Sequence, residues 1–220
     1  MIRGLCSVGR QLDATSAAYR QTPLILELGL SIIYHHRYVR VIGGTFGGRR
    51  LGSVDGPRVR PTSDRLRETL FNILAPRIAD SRFLDICAGS GAVGIEALSR
   101  GASHTTFIDK SRHACSVIED NLAALGIDEM VILNRDAMAA LRRLGDNELQ
   151  FDVIFLDPPY ASEIYEKVME TLGSTSLVAD GGIVVVEHRA KLPPQKEYGE
   201  LRMYRHLKQG ESALAFYGRV

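Results

Sequence analysis

From residue 82 onward the chain alternates between short apolar runs and longer stretches with apolar residues every three or four positions. Phe83-Leu84-Asp85-Ile86, residues 105–108, 130–133, 151–156 and 182–187 read as strands. They are brief, rich in β-branched and aromatic residues, and apolar without a polar face, as strands covered on both sides are. Residues 92–100, 111–125, 137–144 and 162–172 read as helices between them, the second closed by Gly126. Such alternation specifies an α/β fold, a mostly parallel sheet with helices on both faces. The ending differs. Residues 202–207, the turn Gln209-Gly210-Glu211 and residues 213–217 read as a hairpin, an antiparallel edge on the sheet.

Ahead of this core, Pro61-Thr62-Ser63-Asp64 carries a helix-start signal, and Leu66, Leu70, Phe71 and Leu74 follow at helical spacing up to Pro76. Two strand-like pieces, Arg40-Val41-Ile42-Gly43-Gly44 and Gly47-Gly48-Arg49-Arg50-Leu51, flank a glycine-rich turn and predict a further hairpin. The expected organisation is one domain over residues 40–220: a hairpin at 40–60, a helix at 61–76 and the α/β core at 82–220. Residues 1–39 are irregular, contain arginines and are poor in acids. They read as a disordered extension or as the product of a start site placed too early.

Composition narrows the class. With 220 residues, 45% of them hydrophobic and 24% charged, the chain matches one globular domain with a substantial core. A net charge of +1 excludes a polycation, so attraction to nucleic acid needs a local patch. One exists: eight arginines stand against two aspartates between Arg37 and Arg67. On charge alone an ordinary solvated face competes evenly with a phosphate-docking surface. Cys6, Cys87 and Cys115 have neither metal-ligand spacing nor an even count, and read as reduced thiols of a cytoplasmic protein. No stretch is long and apolar enough to span a bilayer, and no ligand cluster for a metal is visible.

The candidate chemistry lies at the ends of the strands. In Phe151-Asp152-Val153-Ile154-Phe155-Leu156-Asp157-Pro158-Pro159-Tyr160 an apolar strand stops at two prolines, which fix φ and remove two backbone donors. Asp157, the Pro158 carbonyl and the Tyr160 ring are thereby held together where open α/β sheets bind ligands. A planar base with an exocyclic NH2 fits this set: two N–H groups for two acceptors, and a ring to stack on Tyr160. The plainer reading is a Pro-Pro turn with Asp157 as a turn residue.

Gly89-Ser90-Gly91-Ala92-Val93-Gly94 satisfies G-x-G-x-x-G after a strand and before a helix, and Asp109 closes the next strand at the offset of a ribose-binding acid. A nucleoside cofactor is expected. NAD and S-adenosylmethionine compete for it. Asp85, just ahead of the glycines, would repel a pyrophosphate and attract a methionine ammonium. Asp136 ends the third strand, where an adenine amino group is met. These acids favour the sulfonium cofactor.

With both motifs in place, the chain resembles the S-adenosylmethionine-dependent amino-methyltransferases, and within them the RsmD-type 16S ribosomal RNA guanine-N2 methyltransferases. The likeness covers residues 40–220. It rests on the two hairpin pieces, Arg60-Pro61-Thr62-Ser63-Asp64-Arg65-Leu66-Arg67-Glu68-Thr69-Leu70-Phe71-Asn72, residues 85–94, Glu96-Ala97-Leu98-Ser99-Arg100-Gly101, residues 157–160 and Val186-Glu187.

The resemblance implies a Rossmann-like methyltransferase fold of about seven strands with the last antiparallel. It implies that Asp85, Ala88, Gly89, Ser90, Gly91, Asp109, Lys110, Asp136 and Ala137 hold S-adenosylmethionine, with Thr62 and Arg65 beside it. Asp157, Pro158, Pro159 and Tyr160 would hold the target guanine, and Arg49, Arg50, Arg58, Arg60 and Arg67 would face RNA. The implied partner is 16S ribosomal RNA in the small subunit or its assembly intermediate, bound by a monomer. Residues 1–39 have no counterpart in the family pattern. The rival readings are an amino-methyltransferase of another base (adenine N6 or cytosine N4), a nicotinamide-dependent oxidoreductase that leaves the double proline unexplained, and a catalytically silent RNA-binding chaperone.

Overall fold

The computed structural model describes residues 39–54, 62–158 and 164–220. The expected 1–39 extension, except Val39, therefore lies outside the described residues, as do Arg58, Arg60, Pro61, Pro159 and Tyr160.

The chain begins with β1 (Val39–Arg40) and β2 (Arg50–Leu51), paired antiparallel as Val39↔Leu51, and continues into α1 (Asp64–Ile78). The core follows as β3 (Arg82–Ile86), α2 (Ala92–Ser99), β4 (His104–Asp109), α3 (Arg112–Leu125), β5 (Val131–Asn134), α4 (Ala137–Asp146), β6 (Phe151–Leu156), α5 (Ile164–Ser174) and β7 (Val178–Arg189). It closes with β8 (Glu197–Tyr198), β9 (Leu201–Gln209) and β10 (Ser212–Arg219). Helix starts are capped by side chains: Ser63 accepts from the Leu66 N–H at 3.2 Å and Ser111 from the Ala114 N–H at 3.2 Å. Gly126, left-handed at φ 70°, ends α3 as its position predicts.

The described strands of the core form one eight-stranded sheet in the order β5-β4-β3-β6-β7-β10-β9-β8, parallel through β7 and antiparallel beyond it. Strand alternation divides the core. Leu84, Ile86, Ile154, Leu156, Val184 and Val186 pack with Leu141 of α4 and Leu172 of α5. Phe83, Val153, Phe155, Ile183 and Val185 pack with Leu66, Leu70, Phe71 and Leu74 of α1. Each such side chain withdrawn from water contributes roughly 1.5–3 kcal/mol, so the sheet is held firmly from both sides. A third cluster joins Val39, Val41 and Leu51 of the hairpin segment to Ile95, Phe107, Ile118 and Leu122.

Three details depart from the sequence reading. Pro76 does not end α1, which runs on to Ile78 and buries it in the same core as the helix's apolar stripe. In the last turn the proline's missing donor removes only one helical bond. The hairpin β9–β10 forms as expected, but β10 is internal, and the edge is the two-residue β8, too short to leave a periodic signal. β7 starts at Val178 rather than at Gly182, because its first residues pair with Phe151 across a register shift. Among the described residues no helix is long and apolar enough to cross a membrane.

Candidate active site

The sheet brings together what the sequence separates. β3 and β6 are neighbours, and the chain turns opposite ways from them, which makes their carboxyl ends the crevice where such sheets bind ligands. Ile86 stands level with Leu156 and Leu156 with Val186, so the glycine loop after β3, Asp157 after β6 and Glu187 within β7 stand on one rim. The Asp157 N–H donates to the Ile86 carbonyl at 3.3 Å, stitching the two loops at their roots.

The glycine loop is shaped by backbone geometry. Cys87, at φ 64°, turns the chain out of β3, and its N–H and that of Ala88 both donate to the Ile108 carbonyl, at 2.9 and 3.0 Å. Gly94 lets α2 lie against β4: a Cβ there would stand 2.3 Å from Phe107 Cε1. Gly89, at φ 56°, has open space where a Cβ would project. A ligand can therefore approach the main chain there. Asp109 fixes this loop with both oxygens, accepting the Gly89 N–H at 2.9 Å and the Ser111 N–H at 2.8 Å. Ala88 and Ser90 are half-buried, Gly91 and Ala137 are buried, and Lys110 is exposed at the same strand end. Asp136 caps α4 by accepting the Met138 N–H at 2.9 Å and is exposed.

Around Asp157 the arrangement is different. Asp85 is 2% exposed and accepts the Gly94 N–H at 2.9 Å; burial raises its pKa to about 7. The Asp157 carboxyl is held well above the usual range by burial first, then by the charges of Glu187 and Asp85, against a hydrogen bond with Thr62. The Thr62 hydroxyl donates to Glu187 Oε2 at 2.7 Å. Thr62 thus stands against the carboxylate of Glu187, on the β7 side of the rim. Burial, followed by Asp109, Asp157 and Asp85, pushes the Cys87 thiol up to about 12, so it supplies no thiolate at neutral pH.

Of the arginines assigned to RNA, Arg49 and Arg50 are exposed, with Arg49 Nη2 donating to the Ala124 carbonyl at 2.9 Å. Arg65 is exposed on the first turn of α1. Arg67 is corrected. Its side chain is fully buried, with Nη2 donating to the Arg40 carbonyl at 2.6 Å and to Asp64 at 3.0 Å, so it joins α1 to the hairpin and presents no charge to solvent. Its burial comes from the hairpin segment, whose Arg40 carbonyl covers that side of α1.

Three residues received no site role in the sequence reading, although Glu96 and Glu187 lie within its motifs. Glu96, buried in the otherwise apolar α2, accepts the Ile42 and Gly43 N–H groups at 2.7 and 2.9 Å and Arg100 Nε at 2.7 Å. Asn121 of α3 accepts the Gly52 N–H at 2.7 Å and donates to the Gly52 and Ser90 carbonyls at 3.0 and 2.9 Å, clamping the hairpin segment to the glycine loop. Glu187 completes the acid rim. An acid inside an apolar helix was the available signal for Glu96, and an acid closing a strand, as in Asp109, was the signal for Glu187. Asn121 left none.

This order of strands, with a glycine loop and acids at their carboxyl ends, is the fold of the S-adenosylmethionine-dependent methyltransferases. Residues 39–218 match the family model described as "Conserved hypothetical protein 95". The chain is 38% identical over 190 residues to the ribosomal RNA small subunit methyltransferase D of Escherichia coli, covering 79% of this chain and 93% of that protein. Among solved structures it is similar to the putative methyltransferase yhhF from Escherichia coli, with a TM-score of 0.75, 34% identity and coverage of 83% of this chain and 98% of that one. A putative methyltransferase, SMU.776, solved in complex with SAH, shares the fold at a TM-score of 0.61 and 14% identity, over 77% of this chain and 53% of that one. The chain belongs to the RsmD family of methyltransferases.

Proposed function

We propose that the chain transfers a methyl group from S-adenosylmethionine to the exocyclic N2 of a guanine in the 16S ribosomal RNA of the small subunit. The observation that carries this reading is the shared rim: the half-buried carboxyl of Asp157, followed by the Pro158 carbonyl, one strand away from the glycine loop. The family name of the 38% identical relative supplies the ribosomal RNA and the small subunit.

The residues fit the cofactor. The open space at Gly89 admits a ligand against the backbone, and acids surround the loop that a pyrophosphate would need to occupy. Asp109 would meet the ribose hydroxyls with the lone pairs left over from its backbone bonds, Asp136 the adenine side, and Asp85 the methionine ammonium. When bound, S-adenosylmethionine supplies an electrophilic methyl group that needs no further activation.

The protein's task is the amine. The N2 lone pair of guanine is delocalised into the ring, which makes it a weak nucleophile. Asp157 and the Pro158 carbonyl each accept one N–H, so the nitrogen can pyramidalise and aim its lone pair across the rim. Asp157 then faces the positive charge that develops on nitrogen. Alignment of two bound reactants contributes the larger share of the acceleration. A base within a duplex does not reach this rim, so the guanine is presented unpaired or flipped out.

The test is methyl transfer from radiolabelled S-adenosylmethionine to small ribosomal subunits from a strain lacking the protein, with the modified nucleoside identified by mass spectrometry. N2-methylguanosine is expected. Label in N6-methyladenosine or N4-methylcytidine would reassign the base, and absence of transfer would reject the reading.

A further inference from the structure

Two imidazoles meet on the face of the sheet that carries α4 and α5. His188 belongs to β7 and His206 to β9, and β10 runs between them, with Ala213 level with His188 and Ala215 level with His206. Alanine side chains are short enough to let the rings reach across that strand. Nε2 of His188 stands 3.1 Å from Nε2 of His206, with 14° between the ring planes. One nitrogen must donate and the other accept.

The tautomers follow from the neighbours. Nδ1 of His188 lies 2.8 Å from the Arg189 carbonyl and 3.1 Å from the Leu192 carbonyl. Both are acceptors, so Nδ1 carries the proton of the neutral ring and Nε2 keeps a lone pair. Burial first, and then the charges of His206 and Lys208, lower the His188 pKa against its two carbonyl bonds, so this ring stays a neutral acceptor. Nε2 of His206 therefore donates to it. The lone pair of the neutral His206 ring is left on Nδ1, and His206 is exposed. A second proton can enter there without breaking the bond to His188.

Lys208 is exposed two residues further along the same face of β9, ~7 Å away, and has no ion-pair partner among the described residues. β7 and β9 are both antiparallel to β10, so His206 and Lys208 run towards the same rim as Asp157. They lie three strand spacings from β6, about 14 Å. Arg49 is bonded to α3, which packs by β5 at the other end of the sheet. We propose that His206 and Lys208 form a docking site for a phosphate of the RNA strand that carries the target base, and that His206 takes up a proton when the phosphate docks. The inference rests on the ribosomal RNA reading above. The proton comes from solvent, forms an N–H bond at Nδ1 that donates to a phosphate oxygen, and leaves with the strand.

The other charged groups of the surrounding elements are Arg189, Lys191, Glu211 in the β9–β10 turn, and Glu166 of α5, which accepts from Gln195 at 2.9 Å. Glu187 turns to the opposite face, where Thr62 donates to it.

The test measures the affinity of the full chain for small ribosomal subunits from a strain lacking the protein, between about pH 5.5 and 8. The complex holds one proton more than its parts, so parental binding should tighten several-fold as pH falls. His206→Gln keeps an N–H donor for His188 and cannot gain a charge. It should match the parent at the alkaline end and lose this tightening. Lys208→Ala should weaken binding throughout and lower the log–log salt slope by about one unit. Cofactor affinity should be unchanged in both. Nitrogen-15 spectra of the imidazoles should show His188 neutral with its proton on Nδ1, and His206 charged once RNA is added. Full parental pH dependence in His206→Gln, a parental salt slope in Lys208→Ala, or a neutral His206 in the complex would each overturn the site. If the parent methylates a base other than guanine, the N2 assignment fails and the same affinities still decide the docking site; a parent that does not bind small subunits overturns both.

Discussion

The two halves of this rim handle acidity in opposite ways. At the ends of β4 and β5 the acids are occupied by the backbone: Asp109 takes two N–H groups and Asp136 one. At the ends of β3, β6 and β7 the acids face each other, and Asp85, Asp157 and Glu187 share one backbone N–H and one hydroxyl among the bonds described for them. The first arrangement is rigid before any ligand arrives and suits neutral hydroxyl and amino groups. The second favours N–H donors and positive charge. A methionine ammonium, an aromatic amine and the charge that develops on it during transfer would all supply them. On the proposed function, acids of one residue type would become binding or reactive groups according to how many backbone donors the loops offer them.

The largest effect that would break this comparison concerns Asp85. Its folded pKa, about 7, lies above the ordinary 3.8, so the native state holds a proton that the unfolded chain has released between those values. Stability of the ligand-free protein should therefore fall as pH rises from 4 to 7. The shift corresponds to on the order of 4 kcal/mol at most, and Asp157 contributes with the same sign. Thermal denaturation should show the decline in the parent and a flatter profile in Asp85→Asn. A parent whose stability rises over that interval would show that the crowded half is not under strain.

On the opposite half, Asp109→Ala should weaken S-adenosylmethionine binding by ~1.5–3 kcal/mol for the charged acceptor alone, read by calorimetry. The same change frees the Gly89 and Ser111 N–H groups, so protection of these amides from hydrogen exchange should fall as well. Unchanged exchange with weakened binding would limit Asp109 to a ligand contact.

Asn121→Ala is a sharper and smaller probe of the same half. Asn121 is not itself assigned to the ligand, yet its loss leaves the Gly52 N–H and the Ser90 carbonyl without this partner. A cost of ~1–3 kcal/mol in stability is expected, with cofactor affinity reduced through the loop and the rate at saturation near parental. A variant that binds cofactor normally would detach the hairpin from the site.

The smallest effect belongs to the surface. Replacing Arg49 and Arg50 by Ala should flatten the salt dependence of RNA binding by roughly one log–log unit for each phosphate no longer neutralised, with cofactor affinity unaltered. A full slope would make them an ordinary solvated face. The same assay with Arg67 is uninformative about phosphate, since that guanidinium lies inside the protein.

What was legible in the sequence follows the range of the interactions. Helix caps at Ser63 and Ser111, the C-terminal Gly126, the strands into Asp85 and Asp157 and the β9–β10 hairpin are local or periodic, and they appear where the pattern places them. The glycine loop and Asp109 belong to one strand–helix–strand unit and stand together at its end, joined by the Gly89 N–H to Asp109 bond that the sequence reading did not foresee. Contacts that depend on strand order stayed hidden. Nothing in the one-dimensional pattern puts Glu187 level with Asp157, or Thr62 against Glu187, because β6 and β7 are aligned only once the sheet forms. Arg67 misled for a related reason: it sits among exposed arginines in sequence, and its burial is decided by the hairpin packing over α1.

The central claim is that Asp157 accepts the amine of the target base and steadies the charge that develops there. Single-turnover methyl transfer to small subunits, under saturating S-adenosylmethionine, tests it with Asp157→Asn and Asp157→Ala. The asparagine keeps an acceptor oxygen and loses the charge, so some turnover should survive. The alanine loses both, and a transition-state contribution of ~2.7–4 kcal/mol sets its loss at about a hundredfold or more, with cofactor binding still measurable in both. Near-parental transfer by Asp157→Ala would contradict the account and leave Asp157 as a turn residue at the end of β6.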